Sequence, residues 1–169
     1  SMTHSHRHAV SLEQVTQLPK LYTKTIPAEY LDVYNHMNVR YYAELWGRGA
    51  GGLLKLLGIE QVFTAESPNG HWLLRQLLNY LAEVRVDETV SIYGRMVGRS
   101  QMRMHNMYWM VNETTGRIAA TSEVLVANAD LTARRMAPFA DHVKDVMDRH
   151  INEMDALGWE VPVSGVIRA

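Results

Sequence analysis

A chain of 169 residues is the size of one domain, and with 47% apolar and 21% charged residues it has the matter to fill a core, which excludes disorder as its main state. Lys+Arg 17 against Asp+Glu 18 leaves a formal net charge of -1, so composition asks for neither nucleic acid nor an anionic membrane as partner. Cysteine is absent, which removes disulfides, thiolate metal sites and cysteine nucleophiles together and fits a reducing, cytoplasmic setting; no apolar run approaches the roughly 18 residues of a membrane span, and no secretory signal is visible.

Residues 1–19 are polar and carry the alternating His4, His6 and His8; they read as a flexible tail rather than a metal tract, because a lone tract lacks a packed site. Leu21 to Ile26 alternates as a first strand that Pro27 ends or pushes to an edge. Residues 31–38 form a short polar-aromatic loop. Val39 to Leu57 then repeats apolar residues at three- and four-residue spacing, with Asn38 as N-cap and Gly58 as stop, and predicts a helix. Gly47, Gly49, Gly51 and Gly52 each cost about 1 kcal/mol there relative to alanine, so this helix needs tertiary packing to hold it.

Residues 60–70 read as a loop closing in a Ser67-Pro68-Asn69-Gly70 turn, and His71 to Leu78 is ambiguous between helix and strand. Alternation predicts strands over Asn79–Val86, Val90–Met96, 102–111 and Ile118–Val126, with a hairpin loop at Asn112–Gly116. After Pro138, Asp141 to Leu157 reads as an amphipathic helix ended by Gly158. The expected class is α+β: an antiparallel sheet of about five strands, joined by three sequential hairpin-like connections, with the glycine-rich helix on its concave face and a C-terminal helix added.

Reactive side chains are densest at Asp32, Tyr34, Asn35, His36 and Asn38, just before the central helix. A helix N-terminus offers free N–H groups and roughly half a positive charge, which can hold an oxyanion that develops during acyl transfer. A carboxylate beside it can attack a carbonyl or take a proton from water. Asp, Asn and His in this position are also ordinary caps and turn formers. No serine sits in a G-x-S-x-G elbow, and His36, His71 and His105 show no H-E-x-x-H spacing, so neither a serine triad nor a metal site is expected. Tyr34, Tyr41, Tyr42 and Trp46 could box a quaternary ammonium by cation–π attraction.

Asp32-Val33-Tyr34-Asn35-His36-Met37-Asn38-Val39-Arg40-Tyr41-Tyr42 resembles the D-x-x-G-H-x-N-x-x-Y signature of hotdog-fold acyl-CoA thioesterases, in the superfamily named for 4-hydroxybenzoyl-CoA thioesterase. The resemblance continues through Tyr80-Leu81-Ala82-Glu83-Val84, Ala119-Ala120-Thr121-Ser122-Glu123 and Arg134-Arg135-Met136-Ala137-Pro138, and so covers residues 21–139. It implies one hotdog domain over residues 20–139, with residues 140–169 as its helical extension. It also implies at least a homodimer (or a tetramer) with sites at the subunit interface, and an acyl-CoA thioester as substrate, with no cofactor. By their places in the motif, Asp32 would be the catalytic carboxylate, with His36 and Asn38 lining the site. Tyr34, Val39, Tyr41, Tyr42 and Trp46 would contact substrate. Glu83 is a secondary candidate that could face the partner subunit's site or equally pair with Arg85 or Arg103 on the sheet surface, the surface pairing being the preferred reading; Arg99, Arg103, Arg134 and Arg135 could reach the coenzyme A phosphates.

Two departures stand out. Asn35 occupies the usual glycine position, which asparagine can serve in a left-handed conformation. The branch similar to betainyl-CoA thioesterase often ends its last strand in H-V-D, where this chain has Asn128-Ala129-Asp130. The expected activity is hydrolysis of a small or medium acyl-CoA thioester; the alternatives are a non-catalytic acyl-CoA binding module or a hydratase, whose G-D-x-N-P-x-H pattern this chain lacks.

Overall fold

The computed structural model describes residues 10–169; the His4, His6 and His8 tract lies outside them. Strands β1 (Lys20–Thr25), β2 (Asn69–Tyr80), β3 (Thr89–Arg99), β4 (Arg103–Asn112) and β5 (Arg117–Asp130) form an antiparallel sheet in the order β1-β3-β4-β5-β2, and the short β6 (Arg135–Met136) pairs with β5. The sheet curls around one long helix, α2 (Val39–Leu57), and a second helix, α3 (Asp141–Asp155), packs against β3 outside that core. This is the hotdog arrangement that the resemblance implied.

The helix α2 forms because its ends are fixed and its face is buried. Asn38 is extended and its side chain accepts from the Arg40 N–H, while Gly58 takes φ 70 and closes the last turn on the Leu54 and Lys55 carbonyls. Tyr42, Leu45, Trp46 and Leu53 then join Ile92 of β3, Tyr108 and Met110 of β4 and Val124 of β5 in one core. The four glycines divide into two kinds. A Cβ at Gly49 would run into the Ile92 side chain, and one at Gly52 into the Leu21 carbonyl of β1, so these two let α2 approach the sheet backbone. A Cβ at Gly47 or Gly51 would meet nothing within 4 Å, so neither is needed for this approach.

Three expectations need correction. The strand expected over Asn79–Val86 is displaced: β2 occupies Asn69–Tyr80, so the ambiguous LLRQLL run is the strand and residues 81–88 cross toward β3. Of the three hairpin-like connections expected, two are hairpins, β3–β4 and β4–β5, because β2 pairs with β5 at the far edge rather than with β3. Finally, part of the segment read as a tail packs. Ser11 caps a short helix, α1 (Leu12–Val15), through a capping box, and Val15 and Leu18 are buried with Tyr93, Met107 and Trp109 on the convex face of the sheet.

Helix α3 is fastened to β3 by charge and hydrogen bonding. Arg99 grips both oxygens of Asp148 at 2.7 Å each, Arg95 reaches Asp155 at 2.6 Å, and the buried ring of His150 accepts from the Met96 N–H at 3.1 Å. On the same convex side, buried Glu123 bonds His105 at 2.7 Å and accepts from the Ser164 N–H at 3.0 Å, which holds the C-terminal segment down.

The unequal roles of the glycines are measurable. Gly51→Ala should stabilise the protein by about 1 kcal/mol, because it removes a helix penalty and meets nothing. Gly52→Ala should destabilise it by about 1–3 kcal/mol, because backbone would have to move. Denaturant unfolding of the two variants beside wild type checks both signs.

Candidate active site

The loop before α2 is built around Asp32. Leu31 and Met37 bridge as a short antiparallel pair, the Asp32 N–H donates to the His36 carbonyl at 2.8 Å, and the Asn35 N–H donates to the Asp32 carbonyl at 3.1 Å. To turn so tightly the chain must go left-handed, and Asn35 does so at φ 61. Oδ1 of Asp32 accepts from the Tyr34 N–H at 2.8 Å and the His36 N–H at 3.2 Å. The turn-forming role weighed for Asp32 is therefore real, but it occupies one oxygen. Oδ2 bonds none of the described residues.

The donors that follow are mostly spent. The Met37 N–H goes to the Val84 carbonyl, the Asn38 N–H to the Tyr30 carbonyl, and the Arg40 N–H to the Asn38 side chain. The Val39 N–H, first in the helix, has no acceptor among the described residues, and it sits where the helix dipole is most positive. Asp32, His36, Val39, Tyr42, Tyr80 and Glu83 line one open cleft of about 500 Å³.

His36 is oriented within that cleft. Its Nε2 lies 2.6 Å from Oε2 of Glu83, whose Oε1 accepts from Arg85 Nε at 2.9 Å and Nη2 at 2.6 Å. Glu83 thus pairs with Arg85, as one reading of the sequence had it, and ties that arginine to the cleft histidine. Burial beside Tyr80 pushes the Tyr42 phenol up to about 12, so it stays a neutral group at the cleft wall.

The remaining sequence candidates scatter. Asn38 is the helix cap. Tyr34 is 75% exposed at the loop tip, and Tyr41 stacks on Tyr30 at 4.1 Å and takes a hydrogen bond from Arg40. Trp46 is buried and lines a second cavity. The aromatic set therefore does not close into one box within the chain. Arg99 is engaged with Asp148, and Arg103 lies at the start of β4. Arg134, at φ 58, and Arg135 lie by the Asn69 end of β2, opposite the Tyr80 end that borders the cleft. The H-V-D position is structural here: Asn128 donates to the Ala137 and Pro138 carbonyls, and Asp130 accepts from the Thr132 and Ala133 N–H groups.

The sequence reading missed the second cavity, of about 320 Å³, between α2 and the inner faces of β2, β4 and β5. Asn106 and Ser122 line it from the inner register of strands β4 and β5. A polar residue in the buried register of a strand was the signal available.

The profile of the thioesterase-like superfamily matches residues 26–147, which contain the loop, the cleft and the second cavity. The chain belongs to this superfamily. Betainyl-CoA thioesterase of Pseudomonas aeruginosa is 22% identical over 129 residues, or 76% of this chain and 81% of that protein. The L-carnitine dehydrogenase/betainyl-CoA thioesterase of Rhizobium meliloti is 20% identical over 119 residues, which are 70% of this chain but 24% of that longer protein. Among solved structures, a hypothetical protein of Staphylococcus aureus in complex with CoA superposes with a TM-score of 0.72 at 17% identity, covering 86% of this chain and 96% of the other. A thioesterase-type structure from Pseudomonas putida KT2440 gives 0.74 at 17% identity, covering 90% and 96%.

Because Asn35 holds φ 61, its replacements should rank by left-handed tolerance. Asn35→Gly should be neutral or slightly stabilising, and Asn35→Ala should cost about 1 kcal/mol. Thermal unfolding of the two variants reads the order, and alanine at or above glycine would show that the turn is not as drawn.

Proposed function

We propose that the protein hydrolyses a small or medium acyl-CoA thioester to the free acid and coenzyme A. The observation that carries this reading is that Asp32 Oδ2 and the Val39 N–H at the start of α2, both without a partner among the described residues, belong to residues lining the same cleft. A thioester carbonyl polarised by that N–H and the helix dipole accumulates negative charge where it is stabilised. Asp32 then supplies the other half of the reaction, either by attacking the carbonyl carbon or by taking a proton from the attacking water. When Asp32 attacks, the carbon–sulfur bond breaks to leave an anhydride on Asp32 and the coenzyme A thiolate, and one water then cleaves the anhydride to the free acid, restores the carboxylate and supplies the thiol proton; when Asp32 is the base, the water oxygen bonds the carbonyl carbon as the carbon–sulfur bond breaks, and the proton Asp32 took passes to the leaving thiolate. His36, held by Glu83, lines the path beside Asp32.

The unit we propose is a homodimer formed through β2. That strand is a twelve-residue sheet edge that bears Leu73, Leu74, Leu77 and Tyr80 at 37–58% exposure, whereas the other edge, β1, has six residues and carries Lys20 and Lys24. A long apolar edge of this kind demands a cover. Two copies related by a two-fold axis pair β2 with itself antiparallel, so the Asn69 end of one lies beside the Tyr80 end of the other. Arg134 and Arg135 of one copy then approach the cleft of the second, where they can meet the phosphates of coenzyme A.

Two outcomes follow. Asp32→Asn should lower thiol release from acyl-CoA esters at least about 100-fold while leaving ester binding, followed by calorimetry, within a few-fold of wild type. A variant that keeps its rate would remove Asp32 from the chemistry. Wild type should sediment as a dimer, and Leu74→Lys with Leu77→Lys should weaken the dimer by about two orders of magnitude; a wild-type monomer at micromolar concentration would end the β2 pairing.

A further inference from the structure

Beside Asp32, the cleft holds a second carboxylate, Glu83, in contact with the cleft histidine, His36. Nε2 of His36 lies 2.6 Å from Oε2 of Glu83, and the two side chains are 42% and 45% exposed. A pair this exposed contributes little to stability, so its removal changes chemistry more than fold.

The pair is nonetheless held from both sides. The Met37 N–H donates to the Val84 carbonyl at 2.8 Å, so the residues next to His36 and Glu83 join the two backbones directly. Val84 itself is fully buried. The Leu81 and Ala82 N–H groups donate to the Ala119 carbonyl of β5, and the Arg85 N–H donates to Oε1 of Glu88. The Glu83 carboxylate is divided in turn: Oε1 takes both Nε and Nη2 of Arg85, which leaves Oε2 for the imidazole.

The contact fixes where the ring carries its hydrogen. A bare ring nitrogen would repel a carboxylate oxygen at 2.6 Å, and a carboxylate has no hydrogen to give, so Nε2 holds one. In the neutral ring Nδ1 is then the bare nitrogen, an acceptor. Nδ1 bonds none of the described residues, and His36 lines the cleft together with Asp32. The loop sets their spacing, because the His36 N–H donates to Oδ1 of Asp32 at 3.2 Å.

We propose that Glu83 is a positioning residue that presents Nδ1 of His36 as the base for the attacking water, and that Asp32 is the nucleophile. The inference rests on the thioesterase reading above and chooses between the two roles left open there for Asp32. Asp32 Oδ2 bonds the carbonyl carbon, the carbon–sulfur bond breaks, and coenzyme A leaves as the thiolate. Nδ1 then takes a proton from water as the water oxygen bonds the acyl carbon of the anhydride. The bond to Asp32 breaks, which restores the carboxylate and gives the free acid. The proton on Nδ1 passes to the thiolate, and Glu83 faces the charge that the ring carries in between.

The test follows thiol release from butanoyl-CoA and hexanoyl-CoA, in the first turnover and at steady state, in wild type, His36→Ala, Glu83→Gln and the double variant. His36→Ala should release about one thiol per site in a burst and then turn over about 100-fold slower than wild type, because attack survives and hydrolysis of the anhydride does not. Glu83→Gln should show the same burst with kcat about tenfold lower and KM within a few-fold of wild type. In the His36→Ala background, Glu83→Gln should change nothing further. Added imidazole should restore turnover to His36→Ala and not to Asp32→Asn. Slower release without a burst, or a Glu83→Gln loss as large in the double variant as alone, would overturn the assignment and leave the hydrolase reading standing. If wild type cleaves neither ester, the hydrolase reading fails for them, and nitrogen NMR of the neutral imidazole decides the positioning. A hydrogen on Nε2 that Glu83→Gln redistributes keeps Glu83 in its role, and a hydrogen on Nδ1 in wild type overturns it.

Discussion

The structure depends on how closely α2 approaches the sheet. Two glycines one turn apart, Gly49 and Gly52, remove the only atoms that would hold the helix away from Ile92 and from the Leu21 carbonyl. A helix with a side chain at both positions would ride farther out, and the curled sheet would have to open to accommodate it. The glycine penalty within the helix is the cost of that contact, and the core on Tyr42, Leu45, Trp46 and Leu53 offsets it. Once α2 is fixed at this depth, its N-terminus must emerge at one end of the sheet and its flank must face β2 and β5. The cleft and the cavity are those two places.

At the N-terminus, the loop distributes a small number of backbone donors with little left over. Met37 and Asn38 are bonded to Val84 and Tyr30, and Arg40 to the cap, so the loop is tied down and the Val39 N–H is left without an acceptor among the described residues. Asp32 is divided in the same way. Its Oδ1 binds the turn and thereby fixes the direction of the carboxylate, which leaves Oδ2 for chemistry. The structural and catalytic readings of this residue are thus not rivals. An aspartate held at one oxygen by its own loop has lost the rotational freedom that a mobile carboxylate would have to give up on reaching a substrate.

What could be read from the sequence follows from where the forces are local. The caps of α2, the three strands from Thr89 to Asp130 with their two hairpins, and the helix after Pro138 rest on periodicity and turn residues within a few positions of one another. The loop motif is likewise contiguous, and Asn35 was legible as a left-handed position because asparagine tolerates what glycine allows. The strand β2 was not legible, since an edge strand with leucines on exposed positions loses the in–out alternation that marks a half-buried strand, and its paired residues on β5, such as Asp130 opposite Asn69, lie far along the chain. The burial of Val15 and Leu18 was hidden for a similar reason: the face they cover is assembled from β3, β4 and the C-terminal segment, all far from residues 15–18 in sequence. The aromatic box failed because residues 34, 41, 42 and 46 are near in sequence but leave the loop and helix in different directions.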